Sequence, residues 1–203
     1  MGGSLRVGSD RSRPPATNPW LHVSGVDVGH AAADAFATVS EALNIIYEVD
    51  PKRLRRIQRD VKYLLVTDAP SSAYLALSRT CLLSRRLVGR RHPVRVALTI
   101  VHEATHARIA SAGIISRDSL RARIEKRCVA EQVALLMKLR DAGYGGTEAW
   151  ATYLEERLRR PWWTPDEVLR RKEMMLQEHG APRWLLRLNA LLNRNRPRRP
   201  GSD

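Results

Sequence analysis

The run His102-Glu103-Ala104-Thr105-His106 constrains this chain more than any other feature, because it sets two imidazoles and a carboxylate within one segment of helical periodicity. Pro93 fits the first turn of a helix, Val94, Ala97, Leu98, Val101, Thr105 and Ile109 recur at three- and four-residue steps, and Gly113 supplies a stop. The run therefore lies mid-helix with an apolar back. Residues four apart on a helix project from one face, about one turn from each other, so both imidazoles can reach one tetrahedral zinc ion. With 6 His and 11 Glu in 203 residues, chance would produce such a run only about 0.01 times in a chain of this composition.

The glutamate beside the first histidine completes a chemical unit. As general base, Glu103 takes a proton from a water whose pKa the metal has lowered to about 7, and the hydroxide attacks a carbonyl polarised by the same ion. The competing reading is an amphipathic helix with two solvated histidines, yet Thr99-Ile100-Val101 sets the run in an apolar stretch. A catalytic zinc normally has three protein ligands and an open fourth position, so a third ligand must come from elsewhere. The metzincin extension would need Gly at position 109 and His at position 112, where the chain has Ile109 and Ala112, and the next histidine is His179.

The segment from about Ser116 to Leu139 reads as a second long helix, capped by Ser116 or Asp118 and ended by Asp141-Ala142-Gly143. Leu120, Ile124, Cys128, Leu135 and Leu139 form its apolar stripe. Two glutamates are candidates for the third ligand: Glu131, near the centre of the stripe, and Glu125, at about 140° from Leu120 on its flank. Cys128 reads as a small buried hydrophobe, although a thiolate can ligate zinc. Cys81 falls in a different expected element, and two cysteines make no disulfide framework, which points to a reducing compartment.

Val101 to Ile109 around the HExxH motif, followed by Arg123-Ile124-Glu125 with Cys128 one turn later, resembles the gluzincin side of the zincin superfamily, and within it compact bacterial zincin-like proteins. The resemblance covers roughly residues 31–140 and rests on the HExxH as its one specific motif. It implies zinc held by His102 and His106, with Glu125 rather than Glu131 as the third ligand. The Asn-Glu-x-x-Ser-Asp form of the glutamate motif is lacking, a departure that bears more on peptidase activity than on metal binding.

The remaining elements fit one α+β domain. Residues 31–49 show helical periodicity through Ala33, Phe36, Val39, Leu43 and Ile46, closed by Asp50-Pro51. Tyr63 to Thr67 reads as a short strand bounded by Asp68-Ala69-Pro70-Ser71, and Arg79 to Val88, before Gly89, as one or two more. The expected fold is a minimal zincin-like domain over residues 26–193, with a small mixed or antiparallel sheet beside the HExxH helix and a helical C-terminal extension over 146–193. In that extension Thr164-Pro165-Asp166-Glu167 is a capping box for a helix ending near Gly180, and a last helix runs from Pro182 to about Asn193. Trp162-Trp163 before the cap reads as an anchor for terminal helices or, alternatively, as cleft lining. Residues 1–25 and 194–203 read as disordered tails.

The formal net charge of +14 raises a nucleic-acid hypothesis. Thirty of the 35 basic residues are arginine, spread along the chain, which also fits a GC-rich genome, and no helix-turn-helix or zinc-finger spacing accompanies them. The tail Arg194 to Arg199 is a candidate for weak contact with nucleic acid, acidic protein or an anionic surface, or is simply solvated. No apolar run is long enough to span a membrane, and the first twenty residues lack the apolar stretch of a secretory signal, so the expected location is cytoplasmic. The chemistry expected is hydrolysis of peptide bonds in a protein or peptide substrate, with Zn²⁺ on His102, His106 and Glu125, and Glu103 as base. Arg108, Arg121 and Tyr144 are the nearest candidates in sequence for an oxyanion donor. The rivals are a non-peptidase zinc-binding regulator on the same scaffold and a basic nucleic-acid-binding module in which the HExxH is incidental.

Overall fold

Parallel strand pairs need long crossovers, and the first half of the chain is built around two of them. A computed structural model describes residues 21–23, 30–114 and 118–159. Its elements are β1 (Leu21–Val23), α1 (His30–Val49), α2 (Pro51–Asp60), β2 (Tyr63–Thr67), β3 (Ala73–Leu75), β4 (Thr80–Ser84), α3 (Arg85–Val88), α4 (Pro93–Ser111), α5 (Asp118–Asp141) and α6 (Thr147–Arg159). The architecture is mixed α+β, as expected. The small sheet has the order β1-β2-β4-β3, with β1, β2 and β4 parallel and β3 antiparallel to β4 at the edge. Helices α1 and α2 form the crossover from β1 to β2, and β3 lies within the connection from β2 to β4.

Register follows from which side chains can be hidden. Leu64 lies opposite Cys81 and Val66 opposite Leu83, and all four are buried in one core with residues of α1 and α4. The intervening positions of β2 are more exposed, the period-two pattern of a sheet covered on one face. Helix α4 sits at the centre, packed on α1, α5, β3 and β4, and is buried on nearly every side from Val96 to Ala107. Its end uses the glycine that the sequence marks: Gly113 has φ +76°, and the Ile114 N–H reaches back to the Ile109 carbonyl at 3.2 Å.

The structure departs from the sequence reading at two points and adds to it at a third. The strand beginning near Arg79 stops at Ser84, and Arg85–Val88 forms a helical turn closed by the Gly89 N–H on the Arg85 carbonyl at 2.8 Å. The turn buries the neighbours Leu87 and Val88 together, which a strand would send to opposite faces. Leu21–Val23, within the tail expected over 1–25, are instead a strand paired with Leu64 to Val66. Asp50-Pro51 closes one helix and also opens another, with Asp50 as N-cap and Pro51 in the first turn of α2. The expected helices over 164–193, Trp162-Trp163, the Ser116 cap and the tail 194–203 lie outside the described residues.

Helix α2 has only Leu54 and Ile57 as aliphatic residues, and a buried arginine completes its inner face. The Arg53 Nε donates to Asp50 at 3.1 Å, and its Nη1 donates to the Glu131 side chain at 2.8 Å and to the Glu131 carbonyl at 3.2 Å. Lys138 donates to the same Asp50 oxygen, Oδ2, at 2.8 Å, so α5 is tied to the α1–α2 junction at two points. Burial alone would raise the Asp50 carboxyl, but the bonds from Lys138 and Arg53 outweigh it and hold the pKa at about 2. Replacing Arg53 by Ala should cost about 3 kcal/mol in urea unfolding at pH 7, toward the lower end for a broken buried pair because Lys138 and Arg127 remain. Because the folded pKa of Asp50 lies below its unfolded value of about 3.9, this contribution is present above about pH 4 and is lost as pH falls through about 2. Asp50→Asn should accordingly lower stability at pH 7 and cost far less near pH 2 in the same unfolding measurement.

Candidate metal centre

The seam between α4 and α5 gathers the chemistry. His102 and His106 lie one turn apart on α4 with ring centroids 5.1 Å apart, and α5 brings Glu125, Cys128 and Gln132 against them at three- and four-residue spacing. The Glu125 carboxylate faces both rings: Oε2 is 3.3 Å from the His102 Nε2, and Oε1 is 3.6 Å from the His106 Nε2. In a tetrahedral zinc shell with bonds of about 2.0–2.2 Å, neighbouring ligand atoms stand roughly 3.4 Å apart, so these separations suit donors that share one ion. The ligand atoms of His102, His106 and Cys128 also lie within 4.8 Å of one another, and this group could hold a metal ion.

Gln132 fixes which nitrogen of His102 is available. Its Nε2 donates to the Leu98 carbonyl at 3.1 Å, which leaves its Oε1, 3.1 Å from the His102 Nδ1, as the acceptor. His102 Nδ1 therefore carries a hydrogen, and Nε2 is the nitrogen presented to Glu125 and to a metal. Burial lowers the His102 pKa, but acceptors at both nitrogens and the charges of Glu103 and Glu125 outweigh it and leave it raised. A metal arriving at Nε2 would displace that proton. Burial drives His106 the other way, down to about 4, with the charges of His102 and Arg121 adding to the fall against Glu125. Its imidazole is neutral at pH 7 and able to ligate.

Glu125 is pushed up by burial and further down by its bond to His102 and by the charges of both histidines and Arg121, so it stays ionised. Glu103 behaves differently. Burial, helped by the charge of Glu125, lifts its carboxyl to about 7, while His102, Arg157 and a hydrogen bond from the Tyr74 N–H of the edge strand oppose the rise. Burial and nearby carboxylates also push the Cys128 thiol well up, so without a metal it is a neutral thiol.

The structure separates the candidates that the sequence left together. His102, His106 and Glu125 meet, with Glu103 beside them and Cys128 within reach. Glu131 lies about 240° around α5 from Glu125, on the side facing α2, where it is bound by Arg53 and Arg127. Arg108 reaches toward Glu131 at 4.0 Å, and the Tyr144 hydroxyl bonds to Glu48 of α1, so neither addresses the histidines. Arg121 acts electrostatically on His106 and Glu125. Three participants escaped the sequence: Gln132, Arg157 and the Tyr74 amide. Gln132 had a detectable signal, since it lies seven residues from Glu125 on the same face of α5.

The chain matches no protein-family model, no curated protein and no solved structure. The expected outcome for Gln132→Leu is zinc affinity about 10–100-fold weaker in competition with a chromophoric chelator, with Gln132→Glu restoring much of the loss by supplying an acceptor to Nδ1.

Proposed function

We propose that the protein is a zinc-dependent hydrolase acting on peptide bonds, with His102, His106 and Glu125 as the zinc ligands and Glu103 as the general base. The observation that carries this reading is the Glu125 carboxylate lying between the two imidazole Nε2 atoms at 3.3 and 3.6 Å. Bound zinc supplies Lewis acidity, acidifying water and polarising a carbonyl. Glu103 accepts a proton from water and returns it to the leaving amine, and the Tyr74 N–H holds its carboxylate toward the sheet edge. Gln132 keeps His102 in the ligating tautomer. The order of sheet strands, HExxH helix and glutamate-bearing helix agrees with the gluzincin resemblance of the sequence.

A second reading rests on Cys128. If its thiolate joins the two histidines and Glu125, the tetrahedral shell is closed, as in structural sites, and the protein is a zinc-binding regulator without hydrolytic activity. The open shell is preferred because Glu103 would have no function beside a closed one. Two buried cysteines with no disulfide fit a reducing, cytoplasmic setting, and no helix among the described residues is long and apolar enough to cross a membrane.

Mass-spectrometric mapping of cleavage in a mixed peptide library, with zinc-loaded protein, separates the readings. Wild type should cleave, and Glu103→Gln should retain zinc while losing about 10²–10⁴-fold in rate, the scale of a lost general base. X-ray absorption of the zinc should then give only N and O neighbours. A sulfur neighbour at about 2.3 Å together with no cleavage would select the closed site.

A further inference from the structure

Beside the metal centre, one turn toward the start of α4, lies a cavity of about 690 Å³ between α4, α6 and the end of the sheet. It borders the centre through Gln132, the residue that holds His102. Four arginines line it: Arg86 and Arg90 are exposed, and Arg95 and Arg157 are half-buried. Among the described residues no carboxylate lines it, and none of the four makes an ion pair with them. The two inner guanidiniums lie against aromatic faces, Arg95 5.2 Å from the Trp150 ring centre and Arg157 5.9 Å from that of Tyr153. The charge of Arg157 reaches both Glu103 and Cys128, so the inner end of the cavity adjoins the reacting groups.

A second observation points to a ligand here. Ser84, at the end of β4, is 4% exposed and lines this cavity, and its hydroxyl has no hydrogen-bond partner among the described residues. Buried polar groups are ordinarily satisfied, and an unpaired donor beside uncompensated guanidiniums is a site prepared for an acceptor. A half-open cavity of this size suits a few side chains of a ligand rather than the extended track that a nucleic-acid backbone requires. Resting on the peptidase reading above, we propose that this cavity is the recognition subsite of the enzyme and that it selects peptides carrying acidic side chains. Carboxylates are paired by Arg95 and Arg157 and are drawn in by Arg86 and Arg90 at the rim, with the unpaired Ser84 hydroxyl just beneath the cavity wall.

The test is fluorescence anisotropy at about 0.15 M salt on the full, zinc-loaded chain. The probes are a labelled octapeptide of alternating Glu and Leu, its Gln-for-Glu counterpart, and a labelled dT octamer. The acidic peptide should bind about tenfold or more tightly than the Gln peptide. That preference should vanish in Arg95→Gln/Arg157→Gln and persist in Arg55→Gln/Arg140→Gln, which removes the same charge from exposed positions outside the cavity. If the inner double variant does not fold, Arg86→Gln/Arg90→Gln provides the comparison, with the same expected loss. Equal affinity for both peptides, equal losses in the cavity and control variants, or tighter binding of the dT octamer would overturn the proposal. Selective binding without cleavage would retain the subsite and reject the peptidase reading, whereas cleavage indifferent to Glu content would retain the peptidase and reject the subsite.

Discussion

The contact between α4 and α5 carries the functional argument, because each helix alone offers only part of a site. Helix α4 presents two imidazoles on one face, and α5 supplies the carboxylate between them and the amide that orients one of them. The Gln132 side chain bridges the seam, accepting from His102 and donating to the backbone of Leu98 one turn earlier on the same helix. A shift of α5 by one residue would break that bridge and withdraw Glu125 together, so the register of two helices and the geometry of the donors are one constraint. Helix α4 can meet it only by being buried on nearly all sides, which explains why a polar motif is embedded in so apolar a helix.

Register along the seam is secured from a second face of α5, about a third of a turn around from the first. Glu131 and Lys138 engage Arg53 and Asp50 at the α1–α2 junction, and of these groups Arg53, Asp50 and Glu131 are largely withdrawn from water while Lys138 is half exposed. Buried ion pairs contribute little net stability over apolar packing, but they tolerate few alternative arrangements. Here they fix the rotation of α5 so that Glu131 faces α2 while Glu125, Cys128 and Gln132 face the histidines. One helix thereby serves two polar networks on different faces, one structural and one directed at the candidate metal centre.

That division explains what the sequence could reveal. The HExxH helix, its stop at Gly113, the strand at Tyr63–Thr67 and the long helix after it were legible, because periodicity and chemistry pointed to the same residues. The choice between Glu125 and Glu131 was not legible from helical angles, since a helix buried on two sides has no single inward direction, and both glutamates are largely hidden. The resemblance to gluzincins favoured Glu125, the residue found against the histidines. Helix α2 was missed because its buried face is completed by an arginine whose partners are distant in sequence. The turn at Arg85–Val88 reads as strand in the sequence because a short apolar pair has no period. Gln132, Arg157 and the Tyr74 amide act through tertiary neighbours, which a linear pattern does not encode.

The proposed site needs both helices to hold a metal, and zinc content per chain tests this most directly. Elemental mass spectrometry on tag-free wild type, His102→Ala, Glu125→Ala and Glu131→Ala should give about one zinc per chain for wild type, near none for the first two variants, and an unchanged value for Glu131→Ala. Wild-type protein that carries no zinc even after reconstitution, or zinc that survives His102→Ala, would contradict it.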